Sequence, residues 1–247
     1  MLRISFLAPV ILVALCIKAA AQLPATDEQI QHVIDYALTY RQNVPSLECD
    51  ESMLAQRVQH GKVNWEVKIK ATLRELRDAH EPGGFRDEYT FKSVNGKKAK
   101  PHFRSPYFVY NVFANSLGIG DKPLPACLTY RTTTLDSGQT LQLNIDSKPD
   151  ARDPSCSKIP DEYHKLLLID VPSGAVRKVE RSISPAYAER NLEIPYVAID
   201  FAPQKLEDQT FWLPVRFEAD DLQLEGRMIA TYSNFHRYIG ETKILPQ

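Results

Sequence analysis

The sequence predicts a mostly β, α+β fold, and three features carry that expectation. Apolar and polar residues alternate over long stretches, turn chemistry separates those stretches, and one amphipathic helical segment stands near the start. The expected architecture is a twisted antiparallel sheet, an incomplete barrel, packed on the N-terminal helix and on a short inserted helix. Strands with one wet and one covered face belong to antiparallel sheets, since parallel strands are apolar on both faces.

Ahead of the fold, Arg3 supplies a positive start, Phe6 to Ile17 an apolar run, and Ala19-Ala20-Ala21 the small residues of a cleavage site. Cleavage is predicted after Ala21, which makes residues 1–21 a signal peptide and 22–247 a single exported β domain, periplasmic or secreted. The apolar run is too short to span a bilayer, and no later segment approaches roughly 18 uninterrupted apolar residues. No transmembrane segment is therefore expected once the signal is removed.

Thr26 followed by Gln29 is a capping-box pattern, with Asp27 and Glu28 in the first turn where the helix dipole favours acids. Ile30, Val33, Ile34, Ala37 and Leu38 then form an apolar stripe that ends at Asn43 and Pro45. From Leu47 the period changes to two: Leu47, Cys49, Met53 and Ala55 alternate with polar neighbours, imperfectly at Glu51. After a turn at His60-Gly61 comes the clearest strand, with Val63, Trp65, Val67, Ile69, Ala71 and Leu73 on one side. Tyr89 to Val94 leads into Asn95-Gly96, a strong hairpin signal.

Ser105-Pro106 reads as a cap with a first-turn proline, so a short helix is expected from Tyr107 to Leu117. Strands are then predicted at Cys127–Thr134, Gln139–Asp146, Lys165–Val171, Val176–Ser182, Tyr196–Ala202, Thr210–Ala219 and Leu224–Tyr238, joined by turns such as Asp136-Ser137-Gly138 and Pro172-Ser173-Gly174. The stretches Asp146 to Asp161 and Ser184 to Pro195 read as extended loops.

Thirty basic residues against 31 acidic ones leave a formal charge of -1, which argues against a nucleic-acid partner and against anionic membrane surfaces. No two of the six histidines share a metal-ligand spacing with a Cys or another His, so no metal is expected, and no cofactor. Asp146, Asp150 and Asp153 lack the oxygen ladder of a calcium loop. Ser155-Cys156-Ser157-Lys158 matches Ser-x-x-Lys only formally, without the companion elements that aim Lys at Ser. No catalytic motif emerges, and the chain reads as non-enzymatic; a hydrolase would require His80 or His164 beside a carboxylate and a hydroxyl. Removing Cys16 with the signal leaves Cys49, Cys127 and Cys156, hence one bridge and one free thiol in an oxidising compartment. Cys127 with Cys156 is the favoured pair, with pairings through Cys49 left open.

Bulky residues crowd the apolar sides: Met53, Trp65, Val67, Ile69, Tyr107, Phe108, Phe113, Phe201, Phe211 and Met228. They are the candidate lining for an apolar small molecule or lipid, and they equally suit a filled core of a structural or adaptor module that binds an envelope protein.

Tyr40-Arg41-Gln42-Asn43-Val44-Pro45 with Cys49 soon after, Leu168 to Gly174 before Val176-Arg177-Lys178-Val179, Leu213-Pro214-Val215-Arg216, and Tyr232 to Tyr238 recur in a known setting. With the order of elements, they make the chain resemble the periplasmic lipoprotein-carrier superfamily, the LolA/LolB-like half-barrels, and most closely uncharacterised exported bacterial proteins of that type. The resemblance implies an incomplete antiparallel barrel whose concave side shelters acyl chains. It assigns no functional residue to a position here.

Overall fold

The computed structural model describes residues 22–60, 62–80, 84–103, 112–115, 117, 124–148, 153–160, 162–191, 194–221 and 226–239. The signal segment, the Ser105-Pro106 cap, Tyr107 and Phe108 lie outside them. The helix α1 runs Asp27–Asn43 and opens as the sequence requires. Gln29 N donates to Thr26 Oγ1 at 3.2 Å and Thr26 N donates to Gln29 Oε1 at 3.0 Å, the reciprocal pair of a capping box. Its buried stripe is Ile30, Val33, Ile34, Ala37 and Tyr40, whereas the expected Leu38 is 36 % exposed. Tyr40 lies three residues beyond Ala37 and carries the stripe to the C-terminal turn, leaving Leu38 at its border.

Among the described residues, twelve strands run antiparallel in a single open sheet. They are β1 (Leu23–Pro24), β2 (Leu47–Gln59), β3 (Lys62–Arg77), β4 (Phe85–Val94), β5 (Lys97–Lys98), β6 (Leu128–Leu135), β7 (Thr140–Ser147), β8 (His164–Asp170), β9 (Val176–Ser182), β10 (Tyr196–Leu206), β11 (Gln209–Asp221) and β12 (Gly226–Arg237). The order is β1-β6-β7-β8-β9-β10-β11-β12-β2-β3-β4-β5, so two meanders meet where β12 pairs with β2. This is the incomplete antiparallel barrel that the resemblance implied. At the β4–β5 turn, Asn95 (φ 48°) and Gly96 (φ 75°) both adopt the positive φ that a tight hairpin needs.

One short helix departs from the expectation, and another falls only partly within the described residues. Of the predicted Tyr107–Leu117 helix, the described helical part is α2, Val112–Asn115. The predicted loop from Ser184 to Pro195 instead begins with α3, Pro185–Asn191, where Tyr187 N donates to Ser184 Oγ at 3.2 Å. The other predicted loop contains a 3₁₀ turn at Pro154–Lys158. Cys156 in that turn is bonded to Cys127, which stands one residue before β6, and Cys49 is free and buried.

The sheet curls around α1. At one arm the Tyr36 hydroxyl reaches the Val176 backbone of β9, and Gly174, with φ +69°, comes so close that a Cβ there would lie 2.9 Å from His32 Nε2. At the other arm, Arg77 of β3 donates from Nε to Val44 O and from Nη2 to Arg41 O, both at 2.8 Å. Register shifts at Arg57/Val58, Lys70/Ala71, Leu168/Ile169, Asp200/Phe201 and Ser233/His236 supply local bends, as β-bulges do. The buried apolar residues of both arms form one continuous cluster against α1 and α2. Each large side chain in it, such as Leu47, Leu167 or Leu213, contributes about 1.5–3 kcal/mol by leaving water. No described helix is long and apolar enough to cross a membrane.

Candidate functional site

Strand alternation decides which side chains face the concave side. On β2 these are Leu47, Cys49, Glu51, Met53 and Ala55; on β3, Val67, Ile69, Ala71, Leu73 and Glu75, all of them buried. Four of the predicted lining residues meet at the seam between the meanders: Met53 pairs with Ile69 in register, and Ala55 lies between Val67 and Met228. Phe201 meets Tyr40 of α1 in a T-shaped contact, ring centroids 6.3 Å apart. Phe211 is half-buried and packs on the same cluster. Trp65 is 42 % exposed, because β3 between Lys62 and Glu66 runs beyond the covered part of the sheet.

Phe113 of α2 is as fully buried as Ile69. Its ring stands edge-on to Tyr232 at 5.4 Å and to Phe235 at 6.3 Å, and both it and Leu117 are 1 % exposed. The backbone on the other side of α2 is held by β8, where buried Lys165 donates from Nζ to Leu117 O at 2.5 Å. Helix α2 and Leu117 beyond it thus lie against the concave floor, Phe113 with its ring on β12 and Leu117 with its carbonyl on β8.

Three charged side chains break the apolar lining, and the sequence reading did not single them out as site residues. Lys165 is fully enclosed; burial first, then Arg181 and Arg41, push its ammonium down to about 7. Glu51 and Glu75 are 2 % and 0 % exposed, the Glu51 carboxyl facing the Tyr232 hydroxyl and the Glu75 carboxyl facing Asp87. Burial lifts Glu51 to about 7, only partly opposed by the facing Tyr232 hydroxyl. Glu75 is raised by burial and by Asp87, its register partner on β4. The signal was present in the sequence: each of the three has the phase of the apolar residues around it, Glu51 between Cys49 and Met53, Glu75 after Leu73, Lys165 before Leu167. Cys49, beside the two glutamates, has its thiol pushed far up by burial and by these carboxylates, so it is inert as a nucleophile.

A cleft of about 770 Å³ opens beside the disulfide, between the Pro154–Lys158 turn and α3. Cys127, Cys156, Ile159 and Tyr187 line it together with the charged Lys148, Asp153, Glu162 and Arg190 and with Ser147. Ser147 lies two residues beyond buried Ile145 on the same side of β7, so the cleft continues the concave lining at its β7 end. Its size falls within the roughly 300–1,000 Å³ of small-molecule pockets.

The convex side carries charge. His164 Nδ1 lies 2.6 Å from Asp146 Oδ1, and Arg131 Nη2 lies 2.6 Å from Asp146 Oδ2. In strand register Asp146 is opposite His164 and His164 is opposite Ser182, so an acid, a histidine and a hydroxyl share one row. The row lies on the solvated face, and no hydrogen bond joins His164 to Ser182 among the described residues. His80 has its backbone N–H, not its ring, on Asp78 Oδ1. Among the described residues no group of three or more potential ligands could hold a metal ion.

No family model and no curated protein matches the chain. Similar solved structures include a DUF1329 family protein from Desulfovibrio piger, 10 % identical with a TM-score of 0.41 over 87 % of this chain and 95 % of that one. Another is a LolA superfamily protein from Nitrosomonas europaea, 12 % identical with a TM-score of 0.37 over 88 % of this chain and 97 % of that one.

Proposed function

We propose that this protein is an exported, non-enzymatic carrier that binds an apolar molecule, a lipid or acyl chain, against the concave face of its open sheet. One observation supports the reading: a ligand-sized cleft of about 770 Å³ opens at the β7 end of the sheet, walled partly by Cys127, Cys156 and Ile159 of the same apolar cluster that includes Met53 and Met228. The lining is roofed by α1 and by the four residues of α2. Binding would work by burial of area, at about 25 cal/mol per Å² of apolar surface, with no covalent step. The part of the floor under Phe113 is reached when α2 yields, and its Lys165 to Leu117 hydrogen bond and its rings on Tyr232 and Phe235 define what an incoming chain must displace.

A second reading, an envelope adaptor with a filled core, has its own support. Among the described residues β5 pairs with β4 only at Ser93 and Val94, with Ala99 N on Lys92 O beside them, so no described strand accompanies Phe85 to Phe91 on that edge, where strand addition would act. Native mass spectrometry of protein purified without detergent separates the two. The carrier reading predicts an apolar adduct, or one-to-one uptake of a decyl-chain amphiphile by the stripped protein. A bare mass that takes up no such amphiphile contradicts it.

A further inference from the structure

The row of concave side chains that contains Met228 changes character from one end to the other. In register it runs Ala55, Met228, Ala219, Val197, Arg181 and Lys165, on β2, β12, β11, β10, β9 and β8. Four apolar side chains are thus followed by two cations. Lys165 is 3 % exposed, and among the described residues its ammonium has one acceptor, Leu117 O, for three N–H groups. The charged groups that bear on it, Arg181 and Arg41, have its own sign. Arg181 donates from Nη2 to Ile194 O at 2.9 Å, and Arg41 Nε is withdrawn from water with no acceptor among the described residues. This end of the row adjoins the cleft. Ile145 of β7 stands opposite Lys165, and Ser147 on the cleft wall is two residues further along β7, about 7 Å of strand.

An enclosed ammonium is unfavourable unless it is paired and hydrogen-bonded, and one carbonyl answers only one of its three donors. A carboxylate supplies the missing charge and accepts charge-assisted hydrogen bonds, which are roughly twice as strong as neutral ones. From this placement, and resting on the carrier reading above, we infer that the ligand is an acyl chain ending in a carboxylate, its acid group on the Lys165 ammonium beside Arg181 and its chain along the row toward Met228. The ligand class is an anionic amphiphile. A positive head group would meet the cations of β8 and β9, and a neutral one would leave the ammonium without a counter-charge.

Isothermal titration of the protein with three decyl-chain probes at one pH and salt tests this: decanoate, decyl maltoside and decyltrimethylammonium, each below its micelle concentration. Decanoate is expected to bind at least tenfold tighter than either of the others. Lys165→Met, which keeps the length of the side chain and removes its charge, should erase that preference and leave decyl maltoside binding within twofold of wild type. Where Lys165→Met fails to fold, Lys165→Gln, which retains a donor for Leu117 O, takes its place. Equal affinities for the three probes, tighter binding of either of the other two, or an undiminished preference in a folded Lys165 variant would overturn the acid assignment and leave the carrier reading standing. If none of the three probes binds, both fall.

Discussion

Glu51 shows how one side chain links the interior to pH. Its carboxyl, ordinarily near 4.5, is held at about 7 in the fold because burial disfavours the charge. The folded protein therefore keeps a proton that the unfolded chain releases between those values, and stability must fall as pH rises through that window. Below about 4.5 the penalty vanishes, and above about 7 it is complete. Glu75, raised by burial and Asp87, acts in the same direction. Lys165, lowered from 10.5 to about 7, acts oppositely, but only above about 7. Urea unfolding should accordingly show stability dropping from pH 5 to pH 7, on the order of 2 kcal/mol of it from Glu51. Glu51→Gln should remove that share of the slope. A slope of the opposite sign, or one that the substitution leaves unchanged, would show that Glu51 is not the buried acid described.

At the scale of elements, most of the fold is legible in the sequence because alternation and caps are local signals. The Thr26 capping box, the Asn95-Gly96 hairpin and the strand Val176–Ser182 appear where the residues put them. Helix α3 was hidden although Ser184-Pro185 repeats the chemistry of Ser105-Pro106, because seven residues with only Ala188 buried leave no stripe to read. The lining could be read only in part. Alternation fixes the phase of Trp65, but the point along β3 at which cover ends depends on strands far away in sequence. Two outcomes follow from the packing of single elements. Gly174→Ala should cost about 1 kcal/mol, mainly from its φ of +69°, since the exposed His32 ring can move aside; thermal unfolding measures it. Phe113→Ala should cost about 3 kcal/mol through the cavity it leaves, yet tighten binding of decyl maltoside, because the ring that competes for the floor is gone. Weaker binding in a folded Phe113→Ala protein would show that this ring builds the site instead of covering it.

At the scale of the whole molecule, the sheet of described strands ends at β1 and at β5, and α1 bridges β9 and β3 across its concave side. The bond between Cys127 and Cys156, 29 residues apart, ties the start of β6, next to the end strand β1, to the turn that walls the cleft. Replacing both cysteines by serine should lower stability by roughly 3 kcal/mol on the chain-entropy account, seen as a lower urea midpoint. Of the three methionines, Met1 begins the chain, while Met53 and Met228 lie together in the lining at 3 % and 7 % exposure. Their methyl groups report on the concave face directly. In protein carrying ¹³C-methyl methionine, titration with decyl maltoside below its micelle concentration should shift the resonances of Met53 and Met228 in a saturable way. Methyl signals that stay in place while the probe binds elsewhere, or while it does not bind at all, would contradict the concave face as the binding site.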